Sequence, residues 1–354
     1  MSDDAIAREL AHDARTLFRA FAAGVPMSAH TPLAVERCGD APFDHFGGES
    51  VEVGVTFEGR PAAYAHAAVA SFCPPQGHGA PVRMAYVGDI RVDPAVQRRR
   101  LGTRLLDGLA NALVARGVTD GFCFVNDGNA AVLGLFASGR SRMRGAARGS
   151  FRTGSRLLVA RPRASRGAFV RVDPVSLAGA DRWAERLAWR PFAQAIRACD
   201  LSRIAAAAGR DCVVLARRTA PEAPVAAIWN QRARRRLRVL ALPPVLHGVT
   251  AAWRAAARWT GGAPPPRTGE PWSAAELCWL EPGSVPDGEL LAESLAVAWE
   301  MGSHFLNVAF ERGDASPRGP LWQWTTSHLV TLRFDGGRPV PFDGETFAHD
   351  LSRI

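Results

Sequence analysis

Met84-Ala-Tyr-Val-Gly-Asp-Ile-Arg-Val-Asp-Pro-Ala-Val-Gln-Arg-Arg-Arg-Leu-Gly-Thr-Arg-Leu-Leu106 is the stretch that decides how this chain is read. Met84 to Val92 is apolar and partly β-branched, and it stops at Asp93-Pro94, as a strand running into a turn does. Leu101, Leu105, Leu109 and Leu113 then recur at helical spacing, widened by Leu106 and Ala110. Gly117 suits a left-handed cap at the end of that helix. Between strand and helix stand Arg98, Arg99 and Arg100. The first turn of a helix offers N–H groups with no intrahelical acceptor and the positive end of the helix dipole. Such a place takes an anion, and a phosphate or pyrophosphate fits it.

Gly121-Phe-Cys-Phe-Val125 is short enough for a buried strand, Asn126-Asp-Gly-Asn129 follows as a turn, and Ala130 to Phe136 as a short second helix. This strand–helix–strand–helix unit, with its anion loop after the first strand, resembles the acetyl-CoA-binding region of the GNAT superfamily of N-acyltransferases. The family's loop is Gln or Arg, two residues, Gly, one residue, then Gly or Ala. Here it is Gln97-Arg98-Arg99-Arg100-Leu101-Gly102: Gln97 and Gly102 match, and Arg100 stands at the first glycine. The family's Asn at the start of the next helix is Asn129, and its Tyr seven residues on is Phe136. The Val92-Asp93-Pro94 stop is also similar, and the resemblance spans residues 50–160.

The resemblance implies acetyl-CoA or another acyl-CoA as co-substrate, with no metal, and direct transfer of the acyl group to an amine of a small molecule or peptide. It assigns polarisation of the thioester carbonyl to backbone N–H groups of Ile90, Arg91 and Val92. The pyrophosphate cradle falls to Gln97, Arg98, Arg99, Arg100, Leu101, Gly102 and Thr103, and Asn129 and Phe136 complete the cofactor side. Arg100 costs affinity if its backbone must take a conformation reserved for glycine, or adds a charge-assisted contact to phosphate. An attacking amine must lose a proton. Asp89 is the first candidate base, against a structural carboxylate paired with an arginine such as Arg91. Tyr86 is the second candidate acid or base, against a core tyrosine. Phe136 lacks the hydroxyl with which the family protonates the departing thiolate. His30, His45, His66 and His78 show no metal-like spacing and suit surface or packing roles.

At 354 residues two domains are the better expectation. Residues 3–22 have amphipathic helical spacing with Ile6, Leu10, Leu17 and Phe21 on one side, and residues 51–57 and 62–72 form a hairpin ahead of the loop. The second half repeats the order: helix over 173–199, strands at 211–217, 225–229 and 237–242, a strand at 275–280, a helix at 288–301, and strands at 304–310 and 328–334. In that half Glu281-Pro-Gly-Ser-Val-Pro-Asp287 replaces the anion loop and is acidic, so it should not hold a pyrophosphate. The expected fold is α/β: two GNAT-like domains, each a mixed, mostly antiparallel central sheet flanked by helices, the acyl-CoA-binding one at 1–163 and a degenerate one at 164–354. The whole resembles tandem-GNAT proteins. Trp322, Trp324 and His328 are candidates to line an acceptor pocket, against a core role.

The six cysteines have no close pair, the first residues lack a signal-peptide layout, and no apolar run is long enough for a membrane span, so a reduced cytoplasmic protein is expected. The net charge of +9 comes from arginine alone, since there is no lysine, as a GC-rich coding sequence produces. From Gly128 to Val172 there is no acidic residue; this segment is a solvated hairpin and linker or an anion-attracting rim. Few aromatics interleave its arginines, which disfavours nucleic acid. Two other classes stay open: a non-catalytic acyl-CoA-binding or interaction protein, favoured by Phe136 and Arg100, and an aminoacyl-tRNA-dependent transferase, against which the retained loop argues. Oligomeric state is left open.

Overall fold

The computed structural model describes residues 6–27, 33–38, 48–75, 79–165, 167–173, 180–187, 192–194, 198–241, 244–280, 286–310, 317–342 and 347. Its first elements are β1 (Ile6–Glu9), α1 (His12–Gly24), β2 (Leu33–Arg37), β3 (Glu49–Phe57), β4 (Arg60–Phe72), β5 (Val82–Val92), α2 (Leu101–Val114), β6 (Asp120–Asn126), α3 (Ala130–Ala137) and β7 (Arg144–Leu157). There follow β8 (Phe169–Val172), α4 (Ala180–Leu187), α5 (Ala198–Ala208), β9 (Cys212–Arg217), β10 (Pro224–Asn230), β11 (Arg235–Val239), α6 (Pro244–Thr260), β12 (Pro271–Trp272), β13 (Ala274–Cys278), α7 (Gly288–Glu300), β14 (Phe305–Phe310) and β15 (Trp322–Arg333). The architecture is mixed α/β, built on mostly antiparallel strands flanked by helices. No described helix is long and apolar enough to cross a membrane.

The chain divides into two units, 1–150 with 327–345, and 151–326 with 346–354. The sequence placed the division at 163/164; here it falls inside β7 and β15, because each of these strands supplies residues to both units. The first unit has the strand order β1-β3-β4-β5-β6, then Ser327–Arg333 of β15. All these neighbours are antiparallel except β5 and β6. Alternation along the strands makes two faces. Val51, Val53 and Val55 of β3 and Ala63, Ala65 and Ala67 of β4 pack with Leu101, Leu105, Leu109 and Leu113 of α2 in one core. On the opposite face Leu10, Phe18, Ala22 and Tyr64 form a second cluster under α1.

Two expectations for the N-terminus change. Residues 6–9 are a strand, because Ile6 to Glu9 pair with Thr56 to Val53 along the edge of β3, and ladder hydrogen bonds override the helical spacing. The helix therefore starts afresh at His12, which shifts the phase of its buried face. Phe18 and Ala22 are inside, whereas Ile6 and Leu17 are 64% and 59% exposed. Phe18 lies flat against Gly54 of β3, where any Cβ would overlap its ring.

The second unit repeats the topology: β8-β9-β10-β13-β14, antiparallel until the parallel pair β13 and β14, followed by Phe151–Leu157 of β7. Leu215, Ile228, Leu277, Leu290, Val297, Leu306 and Val308 form its core. Of the helix expected over 173–199, Ala180–Leu187 and the start of α5 are helical, whereas Phe192 to Gln194 are not, Phe192 having φ 63°. β11 does not continue this ladder after β10 as expected; it pairs with the two-residue β12. α6 follows it, outside the elements expected from the sequence, with Trp253 and Ala257 buried.

Candidate active site

β5 and β6 pair at Ala85↔Gly121 and Tyr86↔Phe122, and at no later position do they stay partners, although β5 runs on to Val92 and β6 to Asn126. Two parallel strands that part in this way leave a gap between backbones in mid-sheet. Just past the parting, β5 carries a bulge. Against β4 the register moves from His66↔Gly88 to Tyr64↔Arg91, so Asp89 and Ile90 together face the single residue Ala65. Asp89, within this bulge, takes a left-handed conformation, with φ 52°.

The anion loop follows directly. Asp93 accepts from Ala95 N–H at 2.9 Å and turns the chain off the strand through a short 3-10 turn at Pro94–Val96. Arg98 and Arg100 are both left-handed, φ 68° and 59°. Arg100, with ψ 15°, occupies a region that non-glycine residues reach at a cost of about 1–2 kcal/mol. The family's glycine is thus replaced without a glycine-only backbone. The first bond of α2 runs from Arg104 N–H to the Arg100 carbonyl, so the N–H groups of Leu101, Gly102 and Thr103 have no intrahelical acceptor. No side chain caps this end. Gln97 to Arg100 are exposed, and the Arg99 guanidinium lies over the Phe57 ring, 4.9 Å from its centroid. Ile90 and Val92 are half-buried against the core. Asn129 caps α3 by accepting from Val132 N–H at 3.4 Å, and Phe136 is buried in the core, where a Cβ on Gly145 would crowd it. Phe136 therefore sits as a packing residue.

On the other face, under α1, lies a small charged recess lined by Arg19, Ala22, Val35, Arg37, Tyr64, Asp89 and Arg91. Beneath it Glu52 is fully buried. Arg19 donates to both its oxygens, at 2.9 and 2.6 Å, Tyr64 donates its hydroxyl at 2.8 Å, and Arg15 approaches to 3.6 Å. Burial, then Glu52, pushes the Tyr64 phenol well above its ordinary range. Asp89 accepts from Arg37 Nε at 2.8 Å, and Arg91 stands 3.7 Å from its other oxygen. Burial alone would push this carboxyl up; Arg37, then Arg91, overrule it and hold its pKa at about 2. His66, fully buried opposite Gly88, is held neutral: burial drives its pKa well below the ordinary imidazole value, and Asp89 opposes this only in part. Tyr86 is buried at the last β5–β6 pair, its ring against Phe122 and Phe124.

A carboxylate engaged by two guanidiniums is a poor proton acceptor at neutral pH. Its depressed pKa makes it a stabilising group instead. The contribution is present above the unfolded value, near 4, and is lost as pH falls through about 2. It amounts to about 2 kcal/mol. Urea midpoints at pH 5 and pH 2.5 should accordingly fall further for the wild type than for Asp89→Asn; equal falls would show that Asp89 carries no such linkage.

The second unit has the same frame with different contents. β13 and β14 pair from Ala274↔Phe305 to Leu277↔Val308, and Trp279, just beyond, has φ 53°. Where the first unit has Asp89, this one has a buried tryptophan packed against Trp183 and Trp229. α7 is capped by its own acid, Asp287, which accepts from Leu290 N–H at 2.7 Å and pairs with Arg217 at 2.5 Å. Of the acidic segment expected before it, residues 281–285 lie outside the described residues, as do His30, His45 and His78. Trp322 and Trp324 stack on each other against this unit's core, whereas His328 belongs to the first unit and hydrogen-bonds Asp127.

Residues 26–139 match the family model described as Acetyltransferase (GNAT) family. This matched segment lies within the first unit. Among solved structures, a tandem GNAT protein from the clavulanic acid biosynthesis pathway aligns over 95% of this chain and 100% of its own, at 12% identity and a TM-score of 0.51. Saccharomyces cerevisiae N-myristoyltransferase with bound myristoyl-CoA aligns over 94% of this chain and 84% of its own, at 7% identity and a TM-score of 0.57. At these identities the likeness is one of fold. No curated protein matches the chain.

Proposed function

We propose that the protein is an acyl-CoA-dependent N-acyltransferase whose donor site is the parted β5–β6 pair and the loop that follows it. The observation that carries this reading is the sequence of three features along one strand: the end of pairing at Tyr86↔Phe122, the bulge at Asp89, and the uncapped start of α2. The pyrophosphate would lie on the N–H groups of Arg98 to Thr103, with the guanidiniums of Arg98 and Arg100 beside it. The pantetheine would pass into the gap, and backbone N–H groups of Ile90 to Val92 would receive the developing oxyanion. The acceptor amine then attacks the carbonyl carbon, the C–S bond breaks, and the thiolate takes a proton. We assign that proton to Tyr86, which stands at the head of the gap. Asp89 holds Arg37 and Arg91 in place, so removal of the ammonium proton falls to solvent.

The test has two stages. Acetyl-CoA and longer acyl-CoAs are titrated by calorimetry, and a panel of amines is then screened for release of free CoA. Acyl-CoA binding followed by CoA release is expected, with kcat/KM rising through the acceptor's own pKa. Absence of acyl-CoA binding overturns the proposal. Binding without turnover on any amine favours the non-catalytic acyl-CoA binder, the reading to which the buried Phe136 lends weight.

A further inference from the structure

An aromatic wall closes the head of the gap between β5 and β6. Ala85 and Val87 pack in the core under α2, so the alternation of a strand turns Tyr86 and Gly88 to the other face. On β6, Cys123 and Val125 lie in that core, and Phe122 and Phe124 turn away from it in the same manner. The Tyr86 ring centroid is 5.5 Å from that of Phe122 and 6.0 Å from that of Phe124. Phe122 lies 5.9 Å from Phe124 and meets Phe72 edge-on at 5.1 Å. Phe72, Tyr86 and Phe122 are buried, whereas Phe124, the first residue on this face past the last β5–β6 pair, is half-buried. The wall thus ends where the gap begins. The next position of β5 on this face is Gly88, also half-buried. Among the described residues, a Cβ there would meet only Tyr86 Cε1, at 3.6 Å. Cε1 adjoins the carbon that carries the phenol oxygen, so the hydroxyl end of the ring is the part nearest Gly88. Between this wall and the bulge at Asp89, glycine leaves the face without a side chain.

We propose that the space over Gly88 receives the acyl group of the donor, and that Tyr86 and Phe124 set the acyl length it accepts. A carbonyl oxygen held by the backbone N–H groups of Ile90 to Val92 puts the thioester beside the bulge, and the acyl chain then runs back along β5 over Gly88. One residue of strand spans about 3.3 Å, which takes the methyl of an acetyl group and little more. A longer chain runs into the rings of Tyr86 and Phe124. Phe122 packs against both rings, and Phe72 against Phe122. A close-packed interior does not admit extra methylenes without displacing side chains. Phe124, half-buried at the edge of the cluster, is the part of the wall that can be cut back while the buried rings stay in place. This inference rests on the acyl-transfer reading, and it adds the residues that select the donor.

CoA, acetyl-CoA and octanoyl-CoA are titrated by calorimetry into the wild type, Gly88→Ala and Phe124→Ala. The wild type should bind acetyl-CoA at least as tightly as CoA, and octanoyl-CoA 10-fold or more weakly than acetyl-CoA. Phe124→Ala should shrink that discrimination to threefold or less. The methyl of Gly88→Ala stands at ordinary contact distance from Tyr86 and takes the place of the acetyl methyl. It should weaken acetyl-CoA relative to CoA by threefold or more. Octanoyl-CoA that binds the wild type as tightly as acetyl-CoA overturns the proposal, as does a discrimination unchanged in Phe124→Ala or an acetyl-CoA to CoA ratio unchanged in Gly88→Ala. The wild-type series decides even if a variant does not fold. Absence of binding by all three ligands removes the acyl-transfer reading and the acyl site with it, whereas binding without regard to chain length removes the acyl site and keeps the donor loop.

Discussion

Gly102→Glu should lose acetyl-CoA binding by on the order of 100–1,000-fold in calorimetry. Gly102 is the second residue of α2, and a Cβ there would sit 3.2 Å from Leu135 Cδ2 and 3.8 Å from Val92 Cγ2. A glutamate has no room to lie back on that side. Its carboxylate must turn toward the loop, against the phosphates the loop is proposed to hold. Two like charges about 4 Å apart repel by roughly 1 kcal/mol in water and about 4 kcal/mol at the effective dielectric of a protein surface, and each 1.4 kcal/mol is tenfold in affinity. An acid in the first turn of a helix suits the dipole, so α2 itself should persist. Gly102→Ala is the control: its methyl asks Leu135 to give by a few tenths of an ångström and brings no charge, so binding should survive. Normal affinity in Gly102→Glu would place the phosphates elsewhere.

Glu52→Ala should destabilise the first unit by about 3–5 kcal/mol, the cost of breaking a buried ion pair by removing one partner. Glu52 is fully buried and accepts from Arg19 twice and from Tyr64 once. Its removal leaves the Tyr64 hydroxyl facing a cavity and takes from Arg19 the carboxylate to which it donates twice. Urea unfolding followed by far-ultraviolet dichroism measures the loss. A loss under about 1 kcal/mol would mean that Arg19 and Tyr64 reach water, and that the floor of the recess is not closed.

The strand, loop and helix from Met84 to Leu113 were legible because each signal in them is local. An apolar run, a proline stop and leucines at helical spacing all act within a few residues of one another. The first helix shows the limit of that reasoning. Its spacing from Ile6 to Phe21 is amphipathic, yet the edge of β3 takes Ile6–Glu9 as a strand, and the buried face then follows Phe18 rather than Leu17. Likewise 237–242 has strand composition, and nothing within it distinguishes a partner in the main ladder from β12. Along the sequence His66 suits a packing role. A period-two count on β4 puts it on one face with Tyr64, beside Glu52 across the register, and that count would have pointed to a buried polar cluster.

By itself the sequence determined the local chemistry of the loop: a helix start amid arginines, with Gln97 and Gly102 in place and the hydroxyl of Phe136 missing. It also determined that the fold order occurs twice, with an acid before the second helix. The tertiary structure alone decided what surrounds Asp89. Arg19 from α1, Arg37 from β2, Tyr64 from β4 and Arg91 from β5 are brought together by strand pairing and by the packing of Phe18 on Gly54. That assembly turns a candidate base into a carboxylate fixed at a pKa of about 2. The same holds for Ser327–Arg333, which complete the first unit from the far end of the chain. Pairing of this kind depends on which strand edge is free in space, and no spacing along the chain encodes it.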